Sequence, residues 1–407
     1  MSPAGRLRRL VAAALVDSFG LSLGCTVFSL QVVRTHGLAA LGMCGAAMLV
    51  GVALSAPATA RLSAWMDGRV LLRATAAAEA VLRVATFTLL LVGAPLWGVA
   101  VVVVATNVVA WTGYAGMRAE VAAADPRGAA MTWYMVAVAA IEAGGIATAA
   151  LLPTGPGGAV HGGLLLGVVV FYGVCLLPTW YVAGDARVGR QRRRRVAAQR
   201  RPMALLAGGA LVMLLGSGPT LLAVGLAAEL HGTRWVAGSA LAFALGSLLA
   251  PLLVARCERR ALPPAITWPA WGVGMVAGWV MAPWHPAGLL AAQLLAGMCM
   301  SALEGDMDAR MAAIGTDRGV TSGLASAAAL RAFGSAAAVG LVPRVTAGMG
   351  VGWVSAALAA MLDATLILTL AWDLRHAKER ARYGGGAPAA RIRVVTAAAR
   401  PTLAGRG

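Results

Sequence analysis

The chain has 407 residues, 59% of them hydrophobic and only 12% charged. A soluble domain is usually about 25% charged, so this composition excludes an ordinary soluble globule. The net charge of +18 suggests nucleic acid only out of context, because the basic residues gather in alternate loops between apolar runs, which is a membrane-topology pattern.

In chain order, apolar runs long enough to span a bilayer are expected at 8–33, 38–60, 70–92, 96–118, 130–152 and 160–183. A second set is expected at 203–228, 234–256, 264–284, 286–309, 320–343 and 351–373. The predicted fold class is an all-α polytopic membrane protein, with twelve transmembrane helices in two six-helix bundles. No run of alternating ten-residue segments supports a transmembrane barrel. The first run is too long for a signal-peptide core and has no small-residue cleavage site before its polar exit, so it reads as a retained span.

The basic residues fix the expected orientation. Arg34, Arg234 and Arg344 fall in one set of loops, and Arg83 and Arg331 lie inside spans. The other Lys and Arg residues lie in the N-terminus, the opposite loops and the C-terminal tail, which the positive-inside rule assigns to the cytoplasm. Both termini are therefore expected inside, in a multi-pass protein of the inner (plasma) membrane. The expected organisation is a bundle over 1–183, a basic linker over 184–202, a bundle over 203–374 and a basic, unstructured tail over 375–407. Arg-rich segments at the cytoplasmic face would also attract anionic lipid headgroups.

The five cysteines, Cys25, Cys44, Cys175, Cys257 and Cys299, are scattered and show no CxxC or Cys/His spacing. They read as packing residues, with no metal and no cofactor expected. No GxxxxGK[ST] run exists to bind ATP.

The halves echo each other. "SAPATARL" at 55–62 matches "LAPLLVARC" at 249–257, each with Ala-Pro, a spacer and Ala-Arg. "GMRAE" at 116–120 matches "GDMDAR" at 305–310, with Met-Arg-Ala-Glu against Met-Asp-Ala-Arg: the same frame with charges exchanged. Echoes in order, about 190 residues apart, indicate a duplicated six-span unit. Two such units with a site between them at mid-depth form a known transporter plan.

On these features the chain resembles the major facilitator superfamily over about residues 8–375. "ALVDSFG" followed by "VVRTHGL" is similar to the first span and outer turn of many bacterial members. "ARLSAWMDGRVLL" at 60–72 occupies the place of the signature loop between the second and third spans; it keeps Arg69, while Ser63 stands at the usual Asp position. "IEAGGIATAALLP" at 141–153 has paired glycines and a later proline where antiporters carry a Gly-Pro step. The fourth span lacks the arginine common in proton antiporters. The resemblance implies alternating access, with the first, fourth, seventh and tenth helices lining a central cavity.

Polar residues within spans supply the candidate site. Asp17 stands near the middle of the first span, where a carboxylate costs about 2.5–3.5 kcal/mol on insertion scales. Asp17, Gly24, Phe28 and Gln31 share one helical face. Asp17, Glu304 and Glu142 are the candidates for proton coupling or substrate binding. Phe28, Gln31, Asn107, Trp111, Tyr114 and Gln293 are candidate cavity-lining residues, and Arg69, Pro219 and Arg331 candidate gating residues. Glu79 and Arg83, four apart in the third span, read as a structural ion pair. Arg331 is expected to pair with Glu142 across the halves or with Asp363 in the twelfth span.

The function expected is secondary transport by alternating access, with proton-coupled export of a small amphipathic or cationic compound. Nutrient or metabolite uptake by the same fold, and a non-transporting membrane partner or sensor, are the alternatives. A membrane enzyme is disfavoured by short loops and the lack of a catalytic cluster. The partners expected are the substrate, protons and the lipid bilayer, but no nucleic acid, with the chain a monomer.

Overall fold

Long apolar runs with few internal breakers fold as helices because a membrane leaves no other way to satisfy backbone groups within one segment. In the computed structural model, residues 3–124, 129–153, 160, 162–189, 203–314 and 320–383 are described. Twelve rods are present among them. Helices α1 (3–36) and α2 (38–65) are separated only by Gly37, at φ 79° and ψ 178°. There follow α3 (Gly68–Leu91), α4 (Leu96–Ala124), α5 (Ala129–Ala150) and α6 (Gly162–Asp185). The second set is α7 (203–231), α8 (Arg234–Arg259), α9 (264–280), α10 (Pro286–Ile314), α11 (Val320–Met349) and α12 (Val351–Tyr383).

Eight helices are each long and apolar enough to cross a membrane, and the first of these contains both α1 and α2. The remaining rods are shorter or broken. Helix α7 is interrupted around Pro219, as the sequence suggests: its α-helical stretch ends at Gly216, a short turn spans Gly218–Leu221, and helix resumes at Ala223. Helix α12 continues to Tyr383, so the tail expected from 375 begins as helix, and 384–407 lie outside the described residues. Most of the linker, 190–202, also lies outside them.

Four glycine turns lie at one end of the bundle. Gly37, Gly93, Gly232 and Gly350 all take positive φ there, a conformation that costs other residues. Trp97, Trp284 and Trp353 stand exposed at this glycine end, where indoles favour the membrane interface. Apolar side chains such as Leu245, Leu248 and Leu252 of α8 are exposed, as a lipid-facing surface requires.

Packing is close because small residues let backbones meet. A Cβ on Gly246 of α8 would lie 2.0 Å from the Leu294 carbonyl of α10, and one on Gly297 would lie 2.2 Å from that of Phe243. At the glycine end the two sets of helices share one apolar core, which includes Leu41 and Ala150 from the first and Leu226, Val236 and Val339 from the second. Gly225 of α7 lies against Leu38 and Leu41, and Gly42 against Val339 and Pro343. At the termini end the clusters are separate: Leu10, Leu72, Val121 and Tyr134 on one side, Met213, Trp268, Leu303 and Met307 on the other. The molecule is thus closed at the glycine end.

Candidate functional site

Arg83 of α3 is fully buried, and its guanidinium ties α3 to α1 and α6. Its Nη2 donates to Asp17 Oδ1 of α1 at 2.7 Å and also to Glu79 Oε1 one turn away. Its Nη1 donates to the Tyr172 carbonyl at 3.2 Å and to Cys175 Sγ at 3.1 Å, both on α6. The Tyr172 ring lies under the guanidinium at 4.9 Å. The pair expected between Glu79 and Arg83 is therefore one side of a triad. Asp17, 26% exposed against 4% for Glu79, is its more open member.

The sequence reading missed the link between Asp17 and Arg83, because helical spacing finds partners within a helix and not across two. On the glycine side the triad is capped by an aromatic layer, with Phe28 edge-on to Phe87 at 5.6 Å and Phe87 edge-on to Tyr172 at 5.7 Å. Phe28 is consequently a buried core residue in this structure and not an open wall. On the other side a small cavity is lined by Asp17, Thr75, Glu79, Gly113, Tyr134 and Thr179, among others. All of these belong to the first six helices.

The second set of helices carries its own charges. Arg331 of α11 donates to Asp308 of α10 at 2.7 Å. This corrects the expected partners: Asp363 is exposed on α12, and Glu142 makes no ion pair with Arg331. Asp308 stands closer because α10 and α11 are neighbours. Glu304, one turn before Asp308, is half-buried and interacts electrostatically with Arg331. Asp306 accepts from Trp268 Nε1 at 2.7 Å and from Arg310 Nε at 2.7 Å.

The other candidates are spread more widely. Glu142 of α5 is half-buried, interacts electrostatically with Asp17, and forms no hydrogen bond or ion pair among the described residues. Trp111 is 42% exposed and sits edge-on to Tyr114 at 5.5 Å, with Arg118 over the Tyr114 ring at 5.6 Å. Gln31 lines a small crevice at the glycine end with Ala149, Ala150 and Thr233, where the two halves meet. Asn107 donates to the Val103 carbonyl at 2.9 Å, and its Cβ lies close to Gly51 of α2. Gln293 is buried, with Nε2 unpaired.

Arg69 donates to the Gly184 carbonyl at 2.8 Å, within the first half, and Asp67 caps α3 by accepting from Val70 N at 2.9 Å. Sequence reasoning also passed over Glu120. It is fully buried and accepts from Arg187 N at 3.0 Å and Val188 N at 2.8 Å, pinning the start of the linker. Its frame in "GMRAE" was visible, but not its backbone partners. No group of three or more metal-ligating side chains occurs among the described residues.

No protein-family model matches the sequence, and no curated protein sequence does. Solved structures do share its shape. The nucleoside transporter NupG superposes with a TM-score of 0.68 at 9% identity, over 90% of this chain and 98% of that one. The D-xylose-proton symporter gives 0.67 at 14% identity, over 90% and 95%. A bacterial homologue of the iron transporter ferroportin, in its inward-facing state, gives 0.65 at 15% identity, over 91% and 99%. At these identities the likeness establishes architecture: the chain has the helical-bundle fold of major facilitator superfamily transporters.

Proposed function

We propose that the protein is a secondary transporter that moves a small molecule across a membrane by alternating access. The observation that carries this reading is the asymmetric packing of the halves. They share a core at the glycine end and keep separate cores at the termini end. The positive-inside rule orients the Arg-rich termini end to the cytoplasm, so this state opens inward. Rocking about the mid-plane would reverse the opening.

Proton coupling and export of an amphipathic or cationic compound are the finer proposal. Intramembrane carboxylates are retained for function by default, and Asp17, Glu142 and Glu304 are three of them. Glu142 has no ion-pair partner among the described residues and interacts electrostatically with Tyr114, whose ring meets the exposed Trp111 edge-on at 5.5 Å. A cationic aromatic or amphipathic solute suits such groups. Arg69, Pro219 and Arg331 are proposed to act at gates, with the α7 break around Pro219 as a hinge.

The test uses purified protein in proteoliposomes, with a panel of cations, neutral sugars and nucleosides and an imposed pH gradient. Accumulation of a cation against its gradient, driven by protons, is the expected result. Downhill uptake of a neutral solute would replace export with import. No movement of any solute, with the protein folded and correctly inserted, would favour a non-transporting partner.

A further inference from the structure

Two arginines one helical turn apart open α3. Arg69 and Arg73 stand at i and i+4, so both leave the same face, where like charges repel. Both guanidiniums meet at Gly184, near the end of α6. Arg69 Nη2 donates to its carbonyl at 2.8 Å, and Arg73 Nη2 would lie 3.5 Å from a Cβ built on it. Arg73 also stands over the Trp180 ring at 5.8 Å. Among the described residues it makes no hydrogen bond and no ion pair. Its Nε is buried with no acceptor, whereas its terminal nitrogens are open to the surface. The acids nearby in the fold are already engaged. Asp67 caps α3 through Val70 N, Asp185 accepts from Arg9 at 3.2 Å, and Glu120 holds the amides of Arg187 and Val188.

The surface beside these arginines is apolar. Helices α3 and α6 pack along a seam in which a Cβ on Gly173 would lie 3.1 Å from Val84 Cγ2. The outer faces of the two helices expose Val81, Val174 and Leu177. Trp180 and Tyr181 near the end of α6 and Trp65 at the end of α2 are exposed too, an aromatic set of the kind that sits at headgroup level. Arg73 therefore stands at that level, with apolar surface running from it towards the middle of the membrane. The adjoining sequence supplies no counter-charge: residues 190–202 contain several arginines and no Asp or Glu, and residues 384–407 contain no acid either. The anion that answers these arginines has to come from outside the chain, and the flanking surface asks that it be amphipathic. The planar fork of a guanidinium matches the oxygens of a phosphate.

We propose that Arg73, with Arg69 and Trp180 beside it, binds the phosphate of one anionic phospholipid, whose acyl chains lie along the outer seam of α3 and α6. The lipid relieves the repulsion between the two guanidiniums and gives Arg73 the acceptor that the chain does not. A zwitterionic lipid also carries a phosphate, but it brings a cation towards two arginines, so the site selects a net negative headgroup. Helices α3 and α6 make their main contacts within the first six helices, and the seam faces outward from them. The site is therefore separate from the space between the halves and does not rest on the transport reading. A lipid held there ties α3 to the end of α6, where the linker begins.

Binding is read by native mass spectrometry of the full chain in detergent, titrated with phosphatidylglycerol or with phosphatidylcholine of the same acyl chains. Wild type should take up one phosphatidylglycerol at concentrations where phosphatidylcholine leaves the site empty. Arg73→Gln keeps the length of the side chain and removes its charge. It should raise the half-saturating concentration about tenfold or more, as the loss of a charged hydrogen bond requires. Arg73→Lys keeps the charge without the fork and should weaken binding by a smaller factor; it carries the test if the glutamine variant fails to fold. Arg259→Gln, at the end of α8 in the second half, is the control and should bind as wild type does. Excess soluble glycerol phosphate should leave the lipid in place. Either Arg73 variant binding like wild type, an equal loss in Arg259→Gln, equal uptake of phosphatidylcholine, or displacement by glycerol phosphate, which would mark a free-anion site, overturns the proposal.

Discussion

Replacing Arg83 with Leu is the sharpest test of the triad. The guanidinium is fully buried and holds Asp17, Glu79, the Tyr172 carbonyl and Cys175 Sγ together. Its loss leaves two carboxylates facing each other with no cation, and breaking a buried pair costs about 3–5 kcal/mol. Domain stabilities are about 5–15 kcal/mol, so the variant should express poorly and melt far below wild type. Changing Glu79 to Leu as well removes the more buried acid and should recover most of the loss, because Asp17 is partly exposed and can reach water. The assay is monodispersity and thermal unfolding in detergent for both single variants and the double, read as a cycle. A single Arg83→Leu variant that melts like wild type, or a double variant no better than the single, would refute this account of the triad.

Other expectations are equally specific. Asp17→Asn should fold and exchange substrate yet fail to concentrate it against a gradient; unchanged pH-driven accumulation would move the coupling role to Glu304 or Glu142. Glu120→Ala leaves the amides of Arg187 and Val188 without their carboxylate and should cost about 3 kcal/mol in unfolding. Glu120→Gln keeps one acceptor and should cost about half as much, so equal losses would contradict the bonding described. Gly246→Leu must push into the Leu294 carbonyl and should abolish well-folded expression, whereas Gly167→Ala, with nothing within 4 Å, should be neutral by the same expression assay.

The helices were legible in the sequence because bilayer thickness dictates run length, and turn glycines such as Gly37 and Gly232 punctuate the runs. The break at Pro219 was legible for the same local reason. Depth and facing were much less so. In a membrane the lipid side and the packed side of a helix are both apolar, so periodicity could not show that Phe28 packs on Phe87 or that Gln293 is buried. Partners across helices were also hidden. Arg331 was read against Glu142 and Asp363, and Asp17 against an open cavity, because spacing along one helix does not mark a partner on another, as Asp308 is for Arg331 and Arg83 for Asp17. The charge-exchanged frames at 116–120 and 305–310 pointed to the right regions without naming their bonds.

The exchange of the two openings can be tested by locking one of them. A Cβ on Gly340 of α11 would lie 3.6 Å from that of Ala46 on α2, within the 3.5–4.5 Å range of a disulfide, so Ala46→Cys with Gly340→Cys should oxidise readily across the halves. Cys44, buried on the same helix, is replaced by Ala in this background. Solute flux in proteoliposomes is then measured before oxidation, after it, and after reduction with dithiothreitol. Alternating access predicts that the crosslink, which holds the glycine end shut, stops flux and that reduction restores it. A fully crosslinked protein that transports at the rate of the reduced one would contradict the central claim.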